Sequence, residues 1–357
     1  MRQRERMMDR AERRTALDAY RYEAVCASPL VAFLKRYWFL PVHSVLPAGI
    51  HANVITTLGA ACNLLSFLCC VAFRAHPNPA WLILAAVLLW TYATFDNIDG
   101  TRARQTRTSG PVGELLDHGI DSMTAFLSPL GVAIAFGLPP AYLLAVVCAA
   151  SIGAHASFWE PYHTGKLTTG YLTDVEGFVV GSLVLAAGGI LGVEPITTPM
   201  FGTGVSAMEV AVVATVGSFG YQALSCVWRV RSMRKTAQLL PQLGTQALFV
   251  AWFVASDGAL GVVALCMIVG VSAGRSSLGA IVARLYKTPF PAFDWPTIAV
   301  AVVVPFLAFA GETVAALQTQ VAWVIAGGVV ALYVARLARE ARTMAEITGT
   351  SVFGLPE

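Results

Sequence analysis

The chain has 357 residues, of which 56% are hydrophobic and only 13% charged, and its formal net charge is +3. Soluble domains carry about a quarter charged residues, so this composition excludes an ordinary soluble globular protein. The seven cysteines lie singly or within apolar stretches and lack metal-ligand spacing, which argues against a disulfide framework or a zinc site.

The N-terminal segment is polar and aromatic, unlike the rest of the chain. Its first part is rich in Arg and Glu, and Lys35 and Arg36 are followed directly by Tyr37 and Trp38. Basic and aromatic side chains together suit the headgroup layer of a membrane. We therefore expect an N-terminal interfacial amphipathic helix, although a cytosolic tail followed by a half-buried connector explains the same residues.

Long apolar runs follow along most of the chain. About 20 apolar residues are needed to cross the hydrocarbon core as a helix, and about ten such runs occur. They lie near 54–73, 80–96, 117–137, 140–159, 176–193, 207–229, 243–256, 259–275, 297–313 and 320–338. The predicted fold class is therefore all-α, a polytopic membrane helical bundle with about ten transmembrane helices.

The chain divides into four predicted regions. Residues 1–50 form the N-terminal segment, 51–235 a catalytic helical core, 236–345 the C-terminal transmembrane helices and 346–357 a tail. Every Lys and Arg except Arg74 falls in the termini or in alternate loops. By the positive-inside rule, both termini and the loop after the second span face the cytoplasm.

Four carboxylates flank that loop. Asp96 and Asp99 are spaced i, i+3 at the end of the second span, and Asp117 and Asp121 are spaced i, i+4 at the start of the third. Each pair shares a helix face, and a short connector lets the two pairs face each other. Acids in a membrane segment indicate function, and oxygen donors without cysteine select Mg²⁺, Mn²⁺ or Ca²⁺.

The residues between the two acid pairs suit a phosphate ligand. Two divalent ions about 4 Å apart would clamp a phosphoryl displacement, and Gly100 would let a phosphate approach. Gly113 would let the two helices pack closely. Arg102, Arg104 and Arg107 offer donors for a diphosphate, and Arg104 is best placed as a bidentate clamp.

The four acids also allow other interpretations. The spacing does not fit an EF-hand loop, and no Walker A motif occurs. A structural ion-pair network of the four Asp and three Arg residues, and a divalent-cation transporter, both stay open. A transporter would place its acids near the bilayer midplane, whereas these acids are predicted at a membrane boundary beside an Arg cluster.

The pattern Asp96-x-x-Asp99-Gly100-x-x-Ala103-Arg104-x8-Gly113-x3-Asp117-x3-Asp121 resembles the signature of the CDP-alcohol phosphotransferases at every position. The stretch from Gly113 to Ser122, GELLDHGIDS, resembles the eukaryotic choline/ethanolamine phosphotransferase subgroup. The sequence HANVIT at 51–56 is similar to the opening of that family's first span, with Ala52 in place of the usual Pro. The resemblance covers roughly 17–230.

The resemblance implies a role for each signature residue. Asp96, Asp99, Asp117 and Asp121 would bind two Mg²⁺ ions, for which Mn²⁺ can substitute. The implied substrate-binding residues are Asn53, Gly100, Arg104 and Gly113.

The implied general base is His118, whose ordinary pKa near 6.5 suits proton abstraction. Asp121 is the rival base, and a bystander role for His118 also stays open.

The resemblance further implies the reaction. Phosphocholine or phosphoethanolamine would pass from CDP-choline or CDP-ethanolamine to the hydroxyl of diacylglycerol or alkyl-acylglycerol, with release of CMP. The expected setting is the endoplasmic reticulum or Golgi membrane, with membrane lipids and a second copy of the chain as partners and no nucleic acid. The alternatives are another alcohol, such as inositol or glycerol phosphate, and the cation transporter.

Overall fold

The computed structural model describes residues 10–47, 49–255, 261–308 and 312–354, and the side chains of 303–319 are outside that description. The first nine residues of the predicted N-terminal segment and the last three of the predicted tail therefore lie outside the described residues. The predicted spans 243–256, 259–275 and 297–313 are described in part. The division into four regions stays a prediction.

The described chain is almost wholly helical, which confirms the all-α prediction. The helices are α1 (Arg10–Asp18), α2 (Pro29–Leu34), α3 (Leu40–Ser44), α4 (Ala52–Ala75), α5 (Pro79–Gln105), α6 (Pro111–Ala135), α7 (Pro140–Thr164), α8 (Asp174–Leu191), α9 (Glu194–Thr197), α10 (Ala207–Val230), α11 (Met233–Thr236), α12 (Leu240–Ala255), α13 (Val262–Tyr286), α14 (Trp295–Ala308) and α15 (Glu312–Thr348). Two short strands, β1 (Ala24–Cys26) and β2 (Leu167–Thr169), pair in parallel.

Seven of the described helices are long and apolar enough to cross a membrane, so the protein is a polytopic membrane protein. They are α4, α5, α7, α8, α10, α13 and the part of α15 from Gln320 to Thr348. Helix α6 has 25 residues, as α7 does, but is not among these seven. The described parts of helices α12 and α14 have 16 and 14 residues, and the predicted count of ten is not confirmed.

Several helices continue well past the predicted spans. The second predicted span stops at residue 96, whereas α5 runs to Gln105, and the third begins at 117, whereas α6 begins at Pro111. Hydropathy marks only the apolar part of a helix, and proline at the first helical position favours an earlier start. The four acids therefore lie inside α5 and α6, and Arg275 and Arg284 lie in α13 rather than in a loop.

The core forms where α13 passes through the middle of the bundle. This helix packs on α6, α7 and α15, and 83% of its most apolar window is buried. At the contact with α6, a Cβ atom built on Gly270 would lie 2.5 Å from the ring of Phe126. The packing carries the C-terminal end of α13, with Arg284, to the beginning of α6.

We call the end of the bundle where α5 finishes and α6 begins the basic end. The helical stretch from Pro29 to Ser44, which includes a π-helical turn at Lys35–Phe39, begins with Ser28 as its N-cap. It exposes Tyr37 and Trp38, as expected for an amphipathic helix, and its position at a membrane interface stays a prediction.

Residues 19–28, which we call the N-terminal strap, connect α1 to this helical stretch. Strand β1 of the strap pairs with β2, so that Ala24 lies opposite Leu167. The Ser28 hydroxyl donates to Glu176 in the first turn of α8. The strap is thus fixed between α6 and α8 at the basic end.

Candidate active site

Three of the four predicted acids converge at one point. Asp96 of α5 and Asp117 and Asp121 of α6 each offer a carboxylate oxygen, and these oxygens lie within 4.8 Å of one another. No Lys or Arg of the described residues forms an ion pair with them. Carboxylates this close repel each other, and a bound cation would balance their charge. An all-oxygen donor set suits a hard divalent ion such as Mg²⁺.

The fourth acid, Asp99, lies one turn beyond Asp96 and is not among the three that converge. Its carboxylate is buried and accepts a hydrogen bond of 2.5 Å from the Thr56 hydroxyl of α4. That bond fixes the orientation of the Asp99 side chain. A metal-binding role for Asp99 stays a prediction.

Tyr92 supports Asp121 from the opposite helix. Its hydroxyl lies 3.4 Å from Asp121 Oδ1 and 2.6 Å from the Thr124 hydroxyl. Tyr92 was not predicted as a site residue. Its spacing of i, i+4 from Asp96 was the available signal, because it puts a buried polar group on the same face of α5 as that acid.

His118, the predicted base, is buried next to the acids. Its Nδ1 atom lies 3.5 Å from Glu114 Oε1, and its Nε2 atom lies 4.0 Å from Asp117 Oδ2. A carboxylate beside one ring nitrogen favours the tautomer that carries the proton there. With Glu114 beside Nδ1, Nε2 is the ring nitrogen of His118 that faces Asp117. That His118 acts as a general base stays a prediction.

Glu114 is itself held by residues from distant parts of the chain. The Tyr20 hydroxyl donates to Glu114 Oε2 at 2.7 Å, and the Arg284 guanidinium pairs with Glu114 Oε1. The ring of Tyr22 packs on that of His118, with 5.8 Å between the centroids. None of these partners was predicted, because they approach α6 only through the folding of the strap and of α13.

The predicted substrate-binding residues form two neighbouring groups. A Cβ atom on Gly113 would lie 3.5 Å from Asn53 Oδ1, and one on Gly100 would lie 3.6 Å from Arg104 Nη1. The Asn53 amide donates to the Val352 carbonyl at 2.6 Å, so the C-terminal segment reaches this part of the site. The separation at Gly113 is an ordinary van der Waals contact with Asn53.

Arg102 and Arg104, two of the three arginines after Asp99, differ in their surroundings. Arg102 is buried and donates through Nε to the Ile50 carbonyl at 2.8 Å and through Nη2 to the Pro47 carbonyl. It therefore ties the start of α4 to α5 instead of offering its donors to a diphosphate. Arg104 is exposed. Within the described residues its guanidinium donates a hydrogen bond to Thr101 alone, so its other donors can reach a ligand.

A largely apolar cavity of about 400 Å³ opens beside the acids. His118, Asp121 and Asp174 line it at the basic end, and α6, α7, α8 and α10 form its walls. It extends along α10 from Gln222 to Met208, a distance of about 21 Å at 1.5 Å per residue. The shape and the apolar walls suit a long lipid chain whose polar end reaches His118.

Residues 49–219 match the family model described as CDP-alcohol phosphatidyltransferase. Residues 49–219 therefore form a CDP-alcohol phosphatidyltransferase domain. The matched residues of this phosphatidyltransferase domain contain all four acids, Glu114 and His118, whereas Tyr20 and Arg284 lie outside the match.

Several curated proteins resemble the domain. Cholinephosphotransferase 1 of Saccharomyces cerevisiae is 33% identical over 193 residues, which cover 50% of this chain and 47% of that protein. Choline/ethanolaminephosphotransferase 1 of the same yeast is 35% identical over 184 residues, covering 49% and 45%. Cholinephosphotransferase 1 of Gallus gallus is 31% identical over 216 residues, covering 59% and 63%. The chain spans about half the length of the yeast relatives it matches.

Other polar residues near the phosphatidyltransferase domain's basic end have structural partners. The Glu160 carboxylate is buried and forms two hydrogen bonds of 2.6 Å with Arg229, which join α7 to α10. Glu176 accepts from Thr173 in a capping box at the start of α8. Asp174 and Glu176 both line the cavity that Asp121 also lines, whereas Glu160 does not.

Proposed function

We propose that the protein transfers phosphocholine or phosphoethanolamine from CDP-choline or CDP-ethanolamine to the hydroxyl of diacylglycerol or alkyl-acylglycerol, releasing CMP. The observation that carries the proposal is the position of His118, between the carboxylate cluster and the apolar cavity. A phosphate-binding cluster and a lipid-shaped cavity that meet at one base suit this reaction. The names of the curated relatives support the choice of head group.

The donor would lie over the carboxylates. Asp96, Asp99, Asp117 and Asp121 would hold two Mg²⁺ ions, or Mn²⁺ in their place. When bound, these ions would neutralise the diphosphate and stabilise the charge on departing CMP. Arg104 would contact a phosphate oxygen, while Asn53, Gly100 and Gly113 would line the nucleotide side.

The acceptor would enter through the cavity with its hydroxyl at His118. The hydroxyl oxygen attacks the β-phosphorus in line with the bond to the CMP oxygen, which breaks, and the hydroxyl proton passes to His118 Nε2. Glu114 keeps the other ring nitrogen engaged, so the imidazole presents the correct atom. Asp121 is the alternative proton acceptor, because it too lines the cavity.

We further propose that the basic end of the bundle faces the cytoplasm in an endoplasmic reticulum or Golgi membrane, where a soluble CDP-alcohol meets the lipid. A homodimer is the proposed assembly.

The test is CMP release by the purified protein in lipid nanodiscs. We expect release from CDP-choline or CDP-ethanolamine that requires both diacylglycerol and Mg²⁺. CMP release only from CDP-diacylglycerol, with inositol or glycerol phosphate as the acceptor, would indicate another alcohol. No release under any of these conditions would reject a phosphotransferase.

Asp117→Asn tests whether the carboxylate cluster binds the metal. Removing one carboxylate charge from the converging set should weaken Mg²⁺ binding and abolish turnover. The measurement is the Mg²⁺ dependence of CMP release together with Mg²⁺ binding by calorimetry. Unchanged Mg²⁺ binding would show that the cluster is not the metal site.

A further inference from the structure

Glu114 is the point at which the N-terminal strap, α13 and the catalytic helix α6 meet. Its side chain is 3% exposed, so the carboxylate has lost almost all contact with water. A buried carboxylate needs hydrogen bonds and an opposite charge to offset that loss. Tyr20 supplies a hydroxyl donor, Arg284 supplies the positive charge, and His118 is the third neighbour.

We propose that Tyr20 and Arg284 are positioning residues of the active site, which fix the Glu114 carboxylate in the orientation that holds His118. The inference rests on the proposed function for its kinetic consequence. It assigns a role to two residues outside the region that matches the family, 49–219.

The N-terminal strap brings the Tyr20 side chain to Glu114. The chain at residues 20–23 is not helical, and alternate side chains of an extended segment point the same way. Tyr20 and Tyr22 accordingly both face α6, where one contacts Glu114 and the other packs on His118. The β1–β2 pairing and the bond from Ser28 to Glu176 fix the other end of the strap.

Arg284 balances the charge of Glu114 without contacting the metal-binding acids. Glu114 lies one turn before Asp117, so an unpaired charge there would add to the repulsion within the cluster. Arg284 pairs with Glu114, whereas no ion pair joins it to Asp96, Asp117 or Asp121 among the described residues. Arg284 therefore neutralises Glu114, which contacts His118, and leaves the charge of the three acids available to a cation.

The kinetic test compares two tyrosines that each contact a glutamate. Tyr20→Phe removes the hydroxyl next to Glu114, and the control Tyr142→Phe removes one that lies 3.4 Å from Glu209 Oε1, at the opposite end of the bundle. We expect kcat for CMP release to fall about tenfold in Tyr20→Phe, the effect of one lost hydrogen bond. KM for the CDP-alcohol should stay unchanged, and Tyr142→Phe should match the wild type.

A combined variant separates positioning from general destabilisation. If Tyr20 acts through Glu114, Tyr20→Phe should cause no further loss of kcat in a Glu114→Gln background. Arg284→Lys keeps the charge but loses the guanidinium geometry, so its kcat should fall while the thermal midpoint is kept. Multiplying effects in the double variant, or a wild-type kcat in Tyr20→Phe, would overturn the inference.

A chemical measurement tests the positioning role independently of catalysis. If the wild type releases no CMP, the proposed function is wrong, but the positioning role can still be tested. His118 is modified with diethyl pyrocarbonate, and its rate of modification is followed by mass spectrometry. Tyr20→Phe should speed that reaction several-fold, because the imidazole loses its fixed environment, and Tyr142→Phe should not. Equal rates in the wild type and both variants would overturn the positioning role.

Discussion

His118 is confined by its neighbours on several sides. The rings of Phe158 and Tyr22 lie 5.4 and 5.8 Å from its own, measured between centroids, and Glu114 engages one nitrogen. These contacts favour the ring orientation that puts Nδ1 beside Glu114 and Nε2 towards Asp117.

Replacing this imidazole should separate binding from chemistry. In His118→Ala we expect the CDP-alcohol to bind with nearly wild-type affinity, since the carboxylates and Arg104 are unchanged. Turnover should fall by about 10²–10⁴, the usual contribution of a general base. Single-turnover CMP release and calorimetric binding of the donor check the two parts. Wild-type turnover would transfer the role of base to Asp121.

At the scale of elements, the beginning of α4 depends on a histidine cap. The His51 Nδ1 atom accepts the Asn53 amide N–H at 3.0 Å, and His51 is 4% exposed. Burial lowers the pKa of His51 below its usual 6.5. Because only the neutral ring can accept this bond, the cap is intact at neutral pH and is lost when His51 takes up a proton.

This cap predicts a pH dependence of stability. The folded state binds fewer protons at His51 than the unfolded state does, so stability should fall as the pH drops below about 6.5. His51→Asn keeps a side-chain acceptor at the N-cap without a titrating group. The variant should lose less thermal stability than the wild type between pH 7.5 and 5.5. Equal losses in the two proteins would contradict the prediction.

The contact of α13 with α6 allows a second test of an element. Gly270→Val would force side-chain atoms into the ring of Phe126, where a Cβ atom already lies 2.5 Å away. Overpacking of this kind costs about 1–3 kcal/mol. The control is Gly217→Val in α10, where a Cβ atom meets nothing within 4 Å. Thermal midpoints in detergent should fall for Gly270→Val alone.

At the scale of the whole molecule, the cavity joins the carboxylate cluster to the opposite end of the bundle. Val212 lines it and is 4% exposed, whereas its neighbour Val213 is 67% exposed and faces outwards. The two valines thus provide the same substitution inside and outside the proposed lipid site. Their comparison separates the cavity from the general bulk of α10.

Val212→Phe should narrow the cavity and raise KM for diacylglycerol several-fold. KM for the CDP-alcohol should change little, because Val212 lies about 10 residues before Gln222 along α10 and the added ring is therefore distant from the carboxylate cluster. Val213→Phe adds the same volume to the outer face of α10 and should leave both constants unchanged. Initial rates in mixed micelles with varied diacylglycerol provide the measurement. Equal effects of the two variants would remove the cavity as the acceptor site.

Local spacing predicted only part of the carboxylate cluster. The i, i+3 and i, i+4 intervals predicted that all four acids face each other, and the structure brings Asp96, Asp117 and Asp121 together without Asp99. The helix limits were predicted less well, because hydropathy does not detect the polar turns at 97–105 and 111–116. Tyr20 and Arg284 could not be predicted, since tertiary packing alone brings them to Glu114.

The pairing of Glu114 with Arg284 also bears on the order in which the protein is made. The ribosome synthesises Arg284 166 residues after His118 (284 − 118), and later still than the signature acids at 96–117. Until α13 enters the bundle, Glu114 has no guanidinium partner and His118 has an incomplete support. Nascent chains that stop before α13 therefore contain every signature residue and still lack the finished active site.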